Sequence, residues 1–326
     1  MKALICEAYG PIDDLVIKDL PSPVPGPKQL LVEVKAAAVN FPDALMVQGL
    51  YQVKPPLPFT PGAEISGIVK SVGAEVKNFK AGERIIAMVG QGGFAEECLA
   101  DAARAMPLPP GMDFETGAAL VLTYCTSLHG LKDCGHLQAG ETLVVLGAAG
   151  GVGIAAVEIG KAMGARVIAA ASSDDKLELC RKVGADETVN YSTENLKDRI
   201  NELTGGKGAD VVYDPVGGPY TEPALRALAW RGRLLVIGFA AGGIPKIPLN
   251  LALLKERSIV GVYWGDSTKH DPAGHLANLR QLNEWFAAGS IRPVVSERFP
   301  LVAARDAIAK IARRQVKGKI VVLPGE

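Results

Sequence analysis

The segment from Thr142 to Met163 restricts the possible folds of this chain more than any other. It reads as a strand, Thr142 to Gly147, followed by the run Gly147-Ala148-Ala149-Gly150-Gly151-Val152-Gly153 and then a helix over Gly150 to Met163. The strand core Leu143-Val144-Val145-Leu146 is apolar at every position, as expected for a strand covered on both faces within a parallel sheet. A glycine-rich turn joining such a strand to a helix lets backbone approach a ligand closely and aims the helix amides at an anion. These are the requirements of a dinucleotide pyrophosphate site, in which one glycine makes the turn, a second admits the phosphates and a third lets helix and strand pack. Gly150 and Gly153 fill the second and third roles. Ala148 stands in the first, so the pattern is AxGxxG and its weight comes from the flanking strand and helix. Ala149, Gly150, Gly151 and Val152 are the phosphate-binding candidates.

The pattern continues on the C-terminal side as strands and helices in alternation. Strands are predicted at Arg166–Ala171, Glu187–Val189, Ala209–Tyr213, Gly232–Ile237 and Ser258–Val262, with helices at Asp174–Val183, Leu196–Leu203 and Tyr220–Leu228. Together with Thr142–Gly147 they make a six-stranded, doubly wound parallel sheet of the Rossmann type. Residues 1 to about 115 differ: short β-branched runs at Leu30–Val34, Glu64–Val72, Arg84–Val89 and Phe94–Leu99 are separated by Gly and Pro, as in small barrels. Pro21–Pro27 reads as a loop. The tail contributes helices at His275–Ala288 and Ala303–Ala312 and a closing strand at Lys319–Leu323. At 326 residues, two domains are expected.

Charge excludes some functions. Lys+Arg and Asp+Glu are balanced at 35 each, which argues against nucleic acid or an anionic membrane as the main partner. No apolar run reaches the roughly 20 residues that span a bilayer, and Met1 to Gly10 lacks signal-peptide organisation, so a cytoplasmic location is expected. Cys6, Cys98, Cys125, Cys134 and Cys180 are scattered without CxxC spacing and read as free thiols. His129, His136, His270 and His275 lie in no ligand or base motif and read as structural or surface residues.

The strand Arg166–Ala171 ends where an NAD-specific site carries an acidic residue for the adenosine ribose. Here it ends in Ser172-Ser173, small hydroxyls that leave room for a 2′-phosphate, and Lys176 can supply the charge. NADPH is therefore expected over NADH. Ser173 also suits a helix N-cap, and Asp174 and Asp175 suit the positive end of the helix dipole. Turned inward, those two aspartates would repel a phosphate.

Several ordered motifs resemble the zinc-free quinone oxidoreductase branch of the medium-chain dehydrogenase/reductase superfamily, which includes zeta-crystallin. They are Ala38-Val39-Asn40-Phe41-Pro42-Asp43, Pro61-Gly62-Ala63-Glu64-Ile65-Ser66-Gly67, the Ala148–Gly153 loop and Gly318-Lys319-Ile320-Val321. The resemblance covers nearly the whole chain. It implies an α/β fold with a Rossmann domain, residues 119–264, inserted into a chaperonin-10-like β-barrel domain formed by 1–118 and 265–326. It also implies a homodimer joined through a sheet edge near Ile259–Trp264. Where zinc-dependent members carry Cys-His and Gly-His-Glu, this chain has Asn40-Phe41 and Gly62-Ala63-Glu64, and Leu122 stands at the third ligand position. No metal is expected. By the same resemblance, Lys176 and Tyr191 hold the 2′-phosphate and adenosine end, with Arg314 near them, and Thr126, Gly238 and Phe239 line the cofactor site. Tyr191 equally suits ordinary stacking on a loop, and Arg314 a solvated helix-end cation.

A zinc-free site lacks a Lewis acid to polarise a simple ketone, so its acceptor must already be electrophilic. A quinone is the leading candidate. A 2-alkenal or enoyl-CoA is the alternative enzyme reading, and a non-catalytic nucleotide- or RNA-binding protein is a third. Three residues are candidates for the chemistry: Asn40, counted also among the cofactor contacts, as a hydrogen-bond donor; Asp43 as a positioning group; and Tyr51 as a donor or proton source, since a phenol is protonated at neutral pH. Tyr51 also suits the role of an aromatic that merely closes the cleft.

Overall fold

The N-terminal part of the chain is built on one long strand. After the antiparallel pair β1 (Lys2–Ile5) and β2 (Val16–Asp19) comes β3 (Gln29–Val39), followed by helix α1 (Phe41–Val47), β4 (Glu64–Val72), β5 (Arg84–Met88), β6 (Glu97–Asp101), β7 (Ala105–Pro107) and α2 (Phe114–Ala118). On one side β3 pairs with β4 along its length; on the other its first half pairs with β6. Two register shifts, at Leu31/Val32 and Val34/Ala36, interrupt the ladder with β4. Such irregularities bend a strand and let a sheet curl. Leu30, Val32, Val34, Ala37 and Val39 face one core, and Ala36 and Ala38 a second, smaller one. Burial on both faces explains why β3 reads as a nearly continuous apolar run, each fully buried aliphatic contributing roughly 1.5–3 kcal/mol.

The chain then enters a second unit. Helix α3 (Val121–Leu128) continues as a π-helical turn, His129–Cys134. There follow β8 (Thr142–Leu146), α4 (Gly151–Ala162), β9 (Arg166–Ala171), α5 (Asp174–Lys182), β10 (Glu187–Asn190), α6 (Leu196–Leu203), β11 (Ala209–Asp214), α7 (Thr221–Arg226), β12 (Leu228–Val236), α8 (Asn250–Leu253), β13 (Ser258–Gly261), α9 (Trp264–His270) and α10 (Pro272–Ala287). The six strands form one sheet in the order β10-β9-β8-β11-β12-β13, with every pairing parallel. Chain direction across the sheet reverses between β8 and β11, and ligand sites of such sheets open at this switch point, beyond the carboxyl ends of the strands.

The last segment, β14 (Val295–Pro300), α11 (Ala304–Ala312) and β15 (Lys319–Leu323), returns to the first sheet, whose order is β14-β15-β3-β4-β5-β7. The structure, a computed structural model, describes residues 1–326 in two units: Met1–Leu122 with Pro293–Glu326, and Thr123–Arg292. No helix is long and apolar enough to cross a membrane.

Element boundaries depart from the sequence reading where tertiary pairing outweighs local pattern. The strand expected at Phe94–Leu99 lies at Glu97–Asp101, because Ala95 makes only an isolated bridge to Ala3. The strand expected from Gly232 begins at Leu228, which pairs with Ala209 ahead of a bulge, and this shortens the preceding helix to Thr221–Arg226. β14 escaped notice because Val-Ser-Glu-Arg-Phe-Pro offers no buried apolar face. Its pairing to β15 supplies what its side chains do not.

Candidate active site and cofactor cradle

In the first unit, three strand ends meet. Pairing sets Ala38 opposite Glu64 and Val39 opposite Ile320, so Asn40, Glu64 and Lys319 stand together where β3, β4 and β15 terminate or begin. Lys319 donates to the Asn40 side-chain carbonyl, and at 3.3 Å to Val39 O; its Nζ is 3.9 Å from a Glu64 carboxylate oxygen. Asn40 Nδ2 donates to Ala38 O and to Glu64 Oε2, both at 3.3 Å, and the other Glu64 oxygen accepts the Leu122 N–H at 2.8 Å. Asn40 also caps α1. Its backbone N–H donates to Asp43 Oδ2 at 2.7 Å, half of a capping box, with Pro42 near the helix start.

All four side chains are buried, Asp43 and Glu64 completely. Desolvation, outweighing the Lys319 charge and the hydrogen bonds that oppose it, pushes Asp43 up to about 7 and Glu64 above the usual carboxylate range. Burial likewise lowers Lys319 despite the two carboxylates. Asp43 Oδ1 makes no hydrogen bond of good geometry, although the Gly62 amide helps to hold its pKa down. Tyr51 is half-buried and packs against the same core.

The donor set does not suit a tetrahedral metal. Of the three positions identified from the sequence, Ala63 and Leu122 offer only hydrocarbon and Asn40 an amide already engaged at both ends. An ammonium is drawn into the cluster instead. No group of three or more His, Cys, Asp or Glu side chains converges anywhere in the chain.

In the second unit the glycine loop leaves β8 through Gly147, whose φ of 56° is the left-handed region that favours glycine. Gly147 thus makes the turn, one residue ahead of the Ala148 that the sequence pattern aligned with the first glycine. A Cβ on Gly153 would fall on Gly147 O and within 2.7 Å of Ala148 Cα, so α4 can sit this close to β8 only without one. No side chain caps α4 at Gly150, which leaves its first-turn amides as donors. Ser127 on α3 braces the loop, donating to Val152 O at 2.9 Å and sharing a hydrogen bond with Tyr213. Thr126 lies beside it on α3.

The remaining second-unit candidates reach the same carboxyl edge. Lys176 Nζ donates to Ser172 Oγ at 3.1 Å, and Ser192 Oγ donates to Ser172 O at 3.0 Å. Tyr191 hydrogen-bonds through its backbone to Ala171 O and packs on Tyr220 with ring centroids 4.4 Å apart. Both aspartates are engaged: Asp174 accepts from Asn190 Nδ2 at 2.8 Å, and Asp175 from the Ser173 hydroxyl. Ser173 therefore sits at the N-cap position of α5 without capping it. Gly238 and Phe239 follow β12, and the Phe239 ring lies over Gly217, where a Cβ would be 2.8 Å from it. The structure thus assembles Ala149, Gly150, Gly151, Val152, Ser172, Ser173, Lys176, Tyr191, Gly238 and Phe239 along one sheet edge. Asn40, Asp43, Tyr51 and Arg314, which follows α11 with a φ of 59°, belong to the first unit.

The sequence reading passed over the charges of Glu64 and Lys319, treating them as motif letters. A lysine opening the otherwise apolar strand Lys-Ile-Val-Val-Leu was the available signal, because a buried cation needs a partner. Asp214 was missed as well. Its Oδ1 accepts the Val216 and Gly217 amides, both at 2.9 Å, and its Oδ2 the Thr221 hydroxyl at 2.6 Å, fixing the loop against which Gly147 turns.

Residues 26–110 match the family model of the alcohol dehydrogenase GroES-like domain, and residues 151–280 that of the zinc-binding dehydrogenases. A quinone oxidoreductase-like protein 2 homolog of Nematostella vectensis is 39% identical over 325 residues, 98% of this chain and 88% of that protein. The chain belongs to the quinone oxidoreductase branch of the medium-chain dehydrogenase/reductase superfamily. A quinone oxidoreductase of Pseudomonas aeruginosa is 37% identical over 97% of this chain and 98% of its own length. The crystal structure of Escherichia coli quinone oxidoreductase complexed with NADPH superposes with a TM-score of 0.92 at 29% identity, covering 99% of this chain and all of that one. The first unit is accordingly the GroES-like portion of a quinone oxidoreductase-type fold and the second its Rossmann portion.

Proposed function

We propose that this oxidoreductase transfers hydride from NADPH to a quinone or similarly electrophilic small molecule, without zinc. The observation that carries the reading is the buried cluster of Asn40, Glu64 and Lys319, which leaves no donor set for a Lewis-acid metal in a chain that also has a glycine-loop cradle. Its relative from Escherichia coli was solved with NADPH. When bound, nicotinamide supplies the hydride. The protein's tasks are to orient both partners, exclude water and deliver a proton.

The residues fit those tasks as follows. The amides of Ala149 to Val152 and the glycine approach suit a pyrophosphate. Ser172 and Lys176, already joined by a hydrogen bond, suit a 2′-phosphate, and the two neighbouring aspartates are held by other partners. Tyr191 suits the adenosine end, and Thr126, Gly238 and Phe239 the nicotinamide half. Tyr51 is the proton donor in this reading. Asn40 and Asp43 act as positioning groups, because their polar atoms are turned into the buried cluster. A homodimer through the β13 edge belongs to the same proposal, supported by the exposure of Ile259 on that edge strand.

Stopped-flow oxidation of NADPH and NADH by a panel of quinones, 2-alkenals and enoyl thioesters, on protein treated with a metal chelator, tests the reading. Fast oxidation of NADPH by quinones with chelator present is expected. Oxidation by the thioesters alone would select the enoyl reductase alternative, and binding of NADPH without oxidation by any acceptor would select the non-catalytic one.

A further inference from the structure

The π-helical turn His129–Cys134 brings together side chains that a regular helix would separate. Its i→i+5 bonding, seen in Gly135 N–H donating to Gly130 O at 2.8 Å, winds less per residue than an α-helix, so positions five apart come to one face. Cys134 Sγ lies 3.4 Å from His129 Nε2, and the opposite ring nitrogen, Nδ1, lies 2.9 Å from Asp133 Oδ2. The carboxylate is fixed in turn. Asn278 Nδ2, from α10, donates to the same Asp133 oxygen at 2.7 Å, and Asn278 Oδ1 accepts from Lys132 Nζ at 2.9 Å.

Thiol, imidazole, carboxylate and amide thus form one ordered chain, with Asn278 buried and Cys134 half-buried. Asp133 and Cys134 sit on opposite edges of the imidazole, so the three cannot converge on one ion. The arrangement is that of a nucleophile, an imidazole partner and the group that orients the imidazole. Hydrogen bonds to Asp133 and then to Cys134 push His129 up to about 9, so an imidazolium faces the sulfur at neutral pH. The other four cysteines are buried, and burial pushes Cys98 and Cys180 up to about 12.

We propose that Cys134 is a nucleophilic thiol, activated by the His129–Asp133 pair and open to covalent modification by soft carbon electrophiles such as α,β-unsaturated carbonyls. The proposal uses no residue of the reaction proposed above. In the addition, the sulfur electron pair forms a C–S bond to the β-carbon and the C=C π pair passes to the carbonyl as an enolate. The enolate carbon then takes a proton from the imidazolium, and the imidazole so formed takes back from solvent the proton that the thiol released. S–H is added across C=C, with no external oxidant or reductant.

Limited N-ethylmaleimide treatment of the intact folded chain at pH 7, with peptide mass spectrometry to give a rate for each cysteine, tests this. Cys134 should react about tenfold faster than N-acetylcysteinamide under the same conditions, since a half-buried thiol without activation would react more slowly than the free one. His129→Ala should bring Cys134 down to or below the free-thiol rate. Asp133→Asn keeps the side-chain shape and should give an intermediate rate, which guards against a His129 variant that folds poorly. A wild-type Cys134 rate at or below that of the free thiol, or an unchanged rate in both folded variants, overturns the proposal.

Discussion

Lys319 and Glu64 approach to 3.9 Å where neither reaches water: their side chains are 5% and 0% exposed. Burial moves each toward its neutral form, Glu64 upward and Lys319 downward, so for each the loss of hydration outweighs the attraction. Such a pair adds little net stability, yet removing one partner strands the other. Lys319→Met should therefore destabilise the protein by about 3–5 kcal/mol, whereas Glu64→Gln combined with Lys319→Met should cost clearly less than the two single changes added together. Urea unfolding of the four proteins gives the coupling; additive losses would show the two groups to be independent.

Asp43 gives this site a pH signature. Its carboxyl is raised from 3.8 to about 7 in the folded chain, mainly by desolvation, with Glu64 raising it further and Lys319 lowering it. The folded state therefore holds a proton that the unfolded chain has released between about pH 4 and pH 7. The resulting stability is fully present below pH 4 and is lost as pH rises through 7, a difference on the order of 4 kcal/mol. Asp43→Asn should flatten that part of the curve while still accepting the Asn40 N–H. Thermal unfolding from pH 4.5 to 8 measures it, and parallel curves for the two proteins would place the titration on another group.

Much of this could be read from the chain because local pattern and tertiary environment agree. The both-face apolar strand Leu143–Leu146 before a glycine loop leaves few alternatives, and the structure builds a six-stranded parallel sheet around it. The Asn40–Glu64–Lys319 cluster was harder to see. It joins residues up to 279 positions apart, and only the register of β15 and β4 on β3 brings them together. The start of α10 shows a different failure. Asp271 and Pro272 are a strong N-terminal signal, with Asp271 Oδ1 accepting the Gly274 N–H at 2.9 Å, but the apolar periodicity drew the expected start to His275. The π-turn had no signal at all, since the i→i+5 register that pairs His129 with Cys134 matches neither helix nor strand periodicity.

Gly153 tests the cradle by sterics alone. A Cβ there meets Gly147 O and the Ala148 backbone, which are main-chain atoms and cannot rotate away. Gly153→Ala should push α4 off β8, destabilise the protein by about 1–3 kcal/mol as overpacking does, and weaken dinucleotide binding. Gly140→Ala is a fitting control: its φ of 82° brings backbone strain, but open space surrounds its Cβ position. Fluorescence titration with NADPH should show the loss in the first variant only; equal affinities would mean that the helix–strand approach at Gly153 does not shape the site.

In the reading proposed, Lys176 is the residue that distinguishes the two nicotinamide dinucleotides. Its ammonium reaches Ser172 Oγ at 3.1 Å, which keeps it at the end of β9, where a 2′-phosphate would lie in the reading proposed. A charge-assisted hydrogen bond to phosphate is worth about 1.5–3 kcal/mol, so Lys176→Ala should weaken NADPH binding by roughly 10- to 150-fold and leave NADH nearly unaffected. Raised salt should narrow the wild-type preference for NADPH, because a partly exposed ion pair is screened. Calorimetric titration of both dinucleotides into both proteins, at low and high salt, decides the point. If Lys176→Ala weakens both dinucleotides equally, the lysine supports the fold of this edge and the phosphate is recognised elsewhere.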